Sequence, residues 1–182
     1  MARILHSRYQ KEDLLGLTER LDRDYYEVID ELCKPAATHA AAIQELPETE
    51  NDANTTLYIN LCIKLIEEIR FQIRMRRQIV IPYLHQLLKK LNNKNPCENG
   101  IVQNDLIADT VKEAHDKIRE ILSRLQHLAK PLYLDIAQPL PYKILRNEIM
   151  IIETALTELF YLEEAILLPK AMEVRNRIDN NA

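Results

Sequence analysis

The 182-residue sequence predicts an all-α protein, an up-down-up-down antiparallel four-helix bundle, on three observations. Only Gly16 and Gly100 are glycines, and the chain is 47% apolar with no tryptophan. Such a chain has few tight turns, and its abundant leucine and isoleucine suit helices. Apolar residues recur at helical spacing through four segments of roughly 30 to 40 residues. Loop signals lie between those segments, at 47–55, 92–100 and 130–141, and in a polar tail from Asn176. Short links between long helices place sequence neighbours antiparallel. The chain reads as a single domain, 1–182, with a bundle core over about 28–176 and an N-terminal helical extension over 1–27.

The first helix is expected over about 12–46. Its stripe is Leu14, Leu17 or Thr18, Leu21, Tyr25, Val28, Leu32, Ala36, His39, Ile43 and Leu46, with a bend at Pro35. The second covers about 54–91, with one consistent stripe through Cys62, Leu65, Ile69, Gln72, Arg76, Ile79 and Tyr83. The third covers about 101–129 on Val111, His115, Ile118, Leu122 and Leu125. The fourth covers about 140–178 on Leu145, Ile149, Ile152, Leu156, Leu159, Glu163 and Ile166. Pro82 and Pro169 each remove a backbone donor inside a long helix, yet the apolar pattern continues beyond both. They predict kinks rather than ends. Matched kinks in the second and fourth helices suggest two pseudo-symmetric helix hairpins.

A formal net charge of −4 gives no basic face for a phosphate backbone, so no nucleic acid is expected. Lys89, Lys90 and Lys94 read as a solvated helix end. Cys33, Cys62 and Cys97 are odd in number and widely spaced, which speaks against a disulfide framework and for a reducing compartment. No apolar run approaches a membrane span and no signal-peptide core is visible, so a cytoplasmic protein without a membrane partner is expected.

The informative positions are those where polar residues interrupt apolar stripes. His39 breaks the first, His115 the third and Glu163 the fourth. A buried carboxylate needs a cation, a donor or water. Two histidines and a glutamate on separate helices are suitable ligands for iron, manganese or zinc, so these three are the candidate metal residues. No catalytic set or phosphate loop is recognisable, and no catalytic or cofactor-binding residue is assigned.

These positions resemble the hemerythrin-like, His-His-Glu cation-binding bundles, most closely the di-iron domain of iron–sulfur cluster repair proteins. The resemblance runs from about Val28 to Met172. It is carried by His39 with the Gln44-Glu-Leu-Pro47 ending, by Ala114-His115-Asp116, and by Tyr161-Leu-Glu163 running on to Pro169. It implies former ligand positions at Gln72, Arg76 and Leu159, each now substituted. Of the family's positions only His39, His115 and Glu163 keep a competent side chain.

The sharp expectation is that Arg76 replaces the metal and pairs with Glu163, with Gln72, His39 or His115 completing the hydrogen bonds. The competing reading turns Arg76 outward beside Arg74 and Arg77. The implied function is a non-catalytic binding, regulatory or structural module without a cofactor. The alternative is a mono- or di-iron protein of oxygen, nitric oxide or cluster-repair chemistry. Partners would be an unidentified protein or a second copy, with Tyr25, Tyr26 and the N-terminal amphipathic helix as contact surfaces.

Overall fold

A computed structural model describes residues 9–45, 53–92, 104–132 and 140–180. All regular structure among these residues is helical. Four long helices are present: α1 over 14–44, α2 over 53–92, α3 over Asn104–Leu132 and α4 over 140–179. No helix among the described residues is long and apolar enough to cross a membrane. Of the loop signals at 47–55, 92–100 and 130–141, residues 53–55, 92, 130–132 and 140–141 are helical; the rest of each, with Lys94 and Cys97, lies outside the described residues.

Three of the four helices contain one π turn each: Asp22–Tyr26 in α1, Arg76–Val80 in α2 and Glu163–Leu167 in α4. In each, the residue after the turn donates its backbone N–H five residues back, as Ile81 does to Arg76 and Leu168 to Glu163. Two of the turns coincide with the expected kinks. A proline ring collides with the carbonyl four residues before it. For Pro82 and Pro169 those carbonyls belong to Gln78 and Ala165, each the middle residue of a π turn. The wider turn opens the space that α geometry denies the ring. Pro35 behaves differently. Helix α1 passes through it within the α segment Glu27–Gln44, and its departure from α geometry comes earlier, at Asp22–Tyr26.

A π turn inserts one residue into the repeat, so everything beyond it rotates by about 100° relative to an uninterrupted helix. In α1 the buried face is Leu14, Leu17 and Leu21 before the turn, but Ile29, Cys33, Ala36, Ala40 and Ile43 after it. The expected stripe is corrected accordingly. Val28 is exposed, Leu32 and His39 are half-buried, and Ile29, Cys33 and Ala40 take the core. In α2 the same shift replaces Ile79 and Tyr83 by Val80 and Leu84. The stripes read for α3 and for α4 up to Glu163 face the core as expected, because α3 has no π turn and that of α4 begins at Glu163.

Helix α1 packs on both α2 and α4, α2 also packs on α3, and the segments of α2 and α4 beyond their prolines pack on each other. The segment before Val28 is continuous with α1, and its Leu14, Leu17 and Leu21 belong to the common core. Asp13 caps that helix by accepting the Gly16 N–H at 2.7 Å. Tyr25 and Tyr26 are buried, so neither is the contact surface the sequence suggested.

Candidate functional site

Where the four helices meet, a buried polar centre is built from one residue of each. Tyr26 comes from α1, Arg76 from α2, His115 from α3 and Glu163 from α4; all four are at least 96% buried, with Arg76 the most exposed at 4%. Tyr26 ends one π turn, and Arg76 and Glu163 begin the other two. Three of the four thus sit where local backbone geometry departs from the α-helix.

Glu163 is the common acceptor. Tyr26 donates its hydroxyl to Glu163 Oε1 at 2.5 Å, and Arg76 Nε donates to the same oxygen at 3.2 Å. On the other oxygen, Arg76 Nη2 approaches at 3.4 Å and His115 Nε2 at 2.5 Å. The guanidinium is completed by Gln72, whose Oε1 accepts from Nη1 at 2.8 Å, and by the backbone carbonyl of Val111, 3.5 Å from Nη2. The pairing of Arg76 with Glu163 is therefore present, and the outward arrangement of Arg76 is not.

The network reaches the surface at both ends. Gln72 donates to Glu68, which is paired with Lys117 at 2.6 Å. On the other side His115 Nδ1 contacts Glu164 Oε1 at 2.6 Å, and Arg119 Nη2 donates to that same oxygen at 2.8 Å. Phe160 stacks on His115 with ring centroids 4.0 Å apart, and the Arg119 guanidinium lies over the Phe160 ring, 5.3 Å from its centroid.

Electrostatics follow from this geometry. Burial alone would raise the Glu163 carboxyl; the Arg76 guanidinium, His115 and Tyr26 outweigh burial and hold it down at about 2. Burial, with the adjacent Glu163 carboxylate, pushes the Tyr26 hydroxyl well above its ordinary range. Burial works against the Arg76 charge, yet Glu163 keeps its pKa raised. Glu164 is lowered despite its own burial cost, through His115 and Arg119. Burial raises the Cys33 and Cys62 thiols to about 12, which keeps both as unreactive core residues.

Of the three candidate metal residues the structure brings His115 and Glu163 together and leaves His39 elsewhere. His39 Nδ1 pairs with Glu148 at 2.9 Å on the half-exposed seam between α1 and α4. The cause is the π turn at Asp22–Tyr26, which rotates His39 off the buried face and Ala40 onto it. Among the described residues no group of three or more His, Cys, Asp or Glu side chains has the arrangement to hold a metal ion. Each Glu163 oxygen is already shared between Arg76 and a second donor, so the donor set does not fit a metal. Of the positions the resemblance marked as substituted, Gln72 and Arg76 are in the network, while Leu159 is buried one turn before Glu163.

Sequence reasoning missed Tyr26 and Glu164. Tyr26 was legible only as half of a Tyr-Tyr pair, and Glu164 as the neighbour of a stripe residue. His39→Ala should shift unfolding by less than about 1 kcal/mol, as a half-exposed pair contributes little. His115→Ala, which opens a cavity and strips a donor from Glu163, should cost several times more in urea titration. Compared with known proteins, the chain matches no family model, no curated protein and no solved structure.

Proposed function

We propose that this chain is a hemerythrin-like, up-down-up-down antiparallel bundle in which Arg76 supplies the central positive charge that a metal would otherwise supply. In this reading it works as a non-catalytic binding, regulatory or structural module of the cytoplasm. The observation that carries it is the Arg76 guanidinium lying between Gln72 and Glu163 in the buried centre. An arginine stays charged at any physiological pH, so it neutralises Glu163 permanently and leaves no open position for a substrate or for oxygen.

Support for the antiparallel arrangement comes from the cross-helix pairs. Thr18 meets His85, Asp22 meets Arg77, Asp30 meets Arg70 and Gln44 meets Asn60, so α2 is descended as α1 is ascended. Glu68 with Lys117 and Arg76 with Val111 run the same way between α2 and α3. His115 with Glu163 and Gln126 with Glu153 do so between α3 and α4. Support for the family resemblance is the placing of Gln72, Arg76, His115, Leu159 and Glu163 on inward or site-forming positions of three helices.

Elemental analysis of protein expressed with iron supplementation tests the reading. The expected result is iron, zinc and manganese well below one atom per chain. One or more metals per chain, lost in Glu163→Ala, would overturn it in favour of a metalloprotein of oxygen, nitric oxide or cluster-repair chemistry. A companion variant carrying Gln72→His, Arg76→Glu and Leu159→His should gain iron if the scaffold is hemerythrin-like.

A further inference from the structure

Helix α2 has a second face that the core does not use. Phe71, one of only two phenylalanines in the chain, lies opposite Ile69, Ile73 and Arg76 on the helix and is 46% exposed. Met75 is half-buried one turn on, and Ile79 beyond it is 47% exposed. On the same face Glu67 lies one turn before Phe71 and Arg74 nearly one turn after, both exposed. The positions flanking this stripe are tied to neighbouring helices, Arg70 to Asp30 of α1 and Glu68 to Lys117 of α3. Glu67 and Arg74 themselves make no ion pair among the described residues.

We infer that this face is a homotypic docking surface, covered by α2 of a second copy of this chain lying antiparallel across it. The argument is self-complementarity. A two-fold axis beside Phe71 sets Glu67 of one copy against Arg74 of the other, and Arg74 against Glu67, with the two phenylalanine rings between them. An isologous contact requires a patch that satisfies itself in this way. An acid and a base placed almost symmetrically about a central aromatic provide it. Phenylalanine, methionine and arginine are also the residues enriched at interface centres, where a desolvated aromatic dominates the contact. The inference does not depend on the buried network, because Glu67, Phe71 and Arg74 point away from it. Metal content and self-association can therefore fail separately.

The test is sedimentation velocity of the full chain from about 5 to 200 µM, a range suited to a modest interface of micromolar affinity. Wild type should move from monomer towards dimer across that range, and less so as salt rises. Arg74→Glu and Glu67→Arg should each abolish dimer by setting like charges opposite one another. Combining the two should restore it, since the charges are merely exchanged. Phe71→Ser should abolish dimer without restoration. All these positions are exposed, so unchanged thermal unfolding of the variants confirms that the fold is kept. A wild type that remains monomeric, a dimer that survives every single change, or an exchange that fails to restore association would each overturn the proposal.

Discussion

Glu163→Leu is expected to lower stability by about 3 to 5 kcal/mol, and Arg76→Met by somewhat less, because each leaves a buried charge without its main partner. The asymmetry has a chemical reason. With Glu163 gone, the Arg76 guanidinium retains only the Gln72 and Val111 oxygens, and arginine cannot shed its proton to escape. With Arg76 gone, Glu163 still accepts from Tyr26 and His115, and it can take up a proton. The double change Arg76→Met with Glu163→Leu should cost less than the sum, since both charges leave together. It still strands the Tyr26 hydroxyl and His115 Nε2 without their acceptor, at about 1 to 3 kcal/mol each. The coupling is read from midpoints of urea unfolding across the four proteins. Single variants that unfold with the wild type would mean the pair contributes nothing.

Acid should unfold this protein through the same carboxylate. Glu163 titrates at about 2 in the fold, below its ordinary value of 4.5. The unfolded chain therefore binds more protons as pH falls. The stabilisation is complete above about pH 5, and it is lost as pH drops through the folded value. A shift of this size corresponds to about 3 kcal/mol. Glu164 adds in the same direction but less, since its side chain is one-third exposed and screened. Urea midpoints measured between about pH 2.5 and 7 should decline steeply on the acid side in wild type. Glu163→Gln, less stable at neutral pH, should show a much shallower decline. An acid limb of equal slope in both proteins would show that Glu163 is not the group responsible.

Between these two expectations lies the chemical character of the site. Four donor contacts converge on one carboxylate from three other helices, so all four helices are tied to one another at this level. An apolar core of equal volume offers no such ties. A buried charged pair also carries a desolvation cost, so its net stabilisation is small even though breaking it is expensive. The three π turns serve the same end: each sets a site residue or a proline where unbroken α geometry would not.

The sequence by itself determined the four helices, their lengths to within a few residues, the core faces of α3 and most of α4, and the burial of His115 and Glu163. Those properties follow from periodic apolar patterning, which local spacing records directly. It also pointed to Arg76 as the partner of Glu163, because a buried carboxylate demands a cation and Arg76 holds the equivalent place before a matching proline. The tertiary structure alone decided the fate of His39, the burial of Tyr26 and the junction of Glu164 with His115. A π turn turns the rest of its helix by about 100°, and in α1 both competing stripes are apolar, Val28 and Leu32 on one and Ile29, Cys33 and Ala40 on the other, so spacing alone does not choose between them. Whether Val28, Leu32 and His39 or Ile29, Cys33 and Ala40 would face inward was thus a matter of packing energy between helices, which local spacing does not encode.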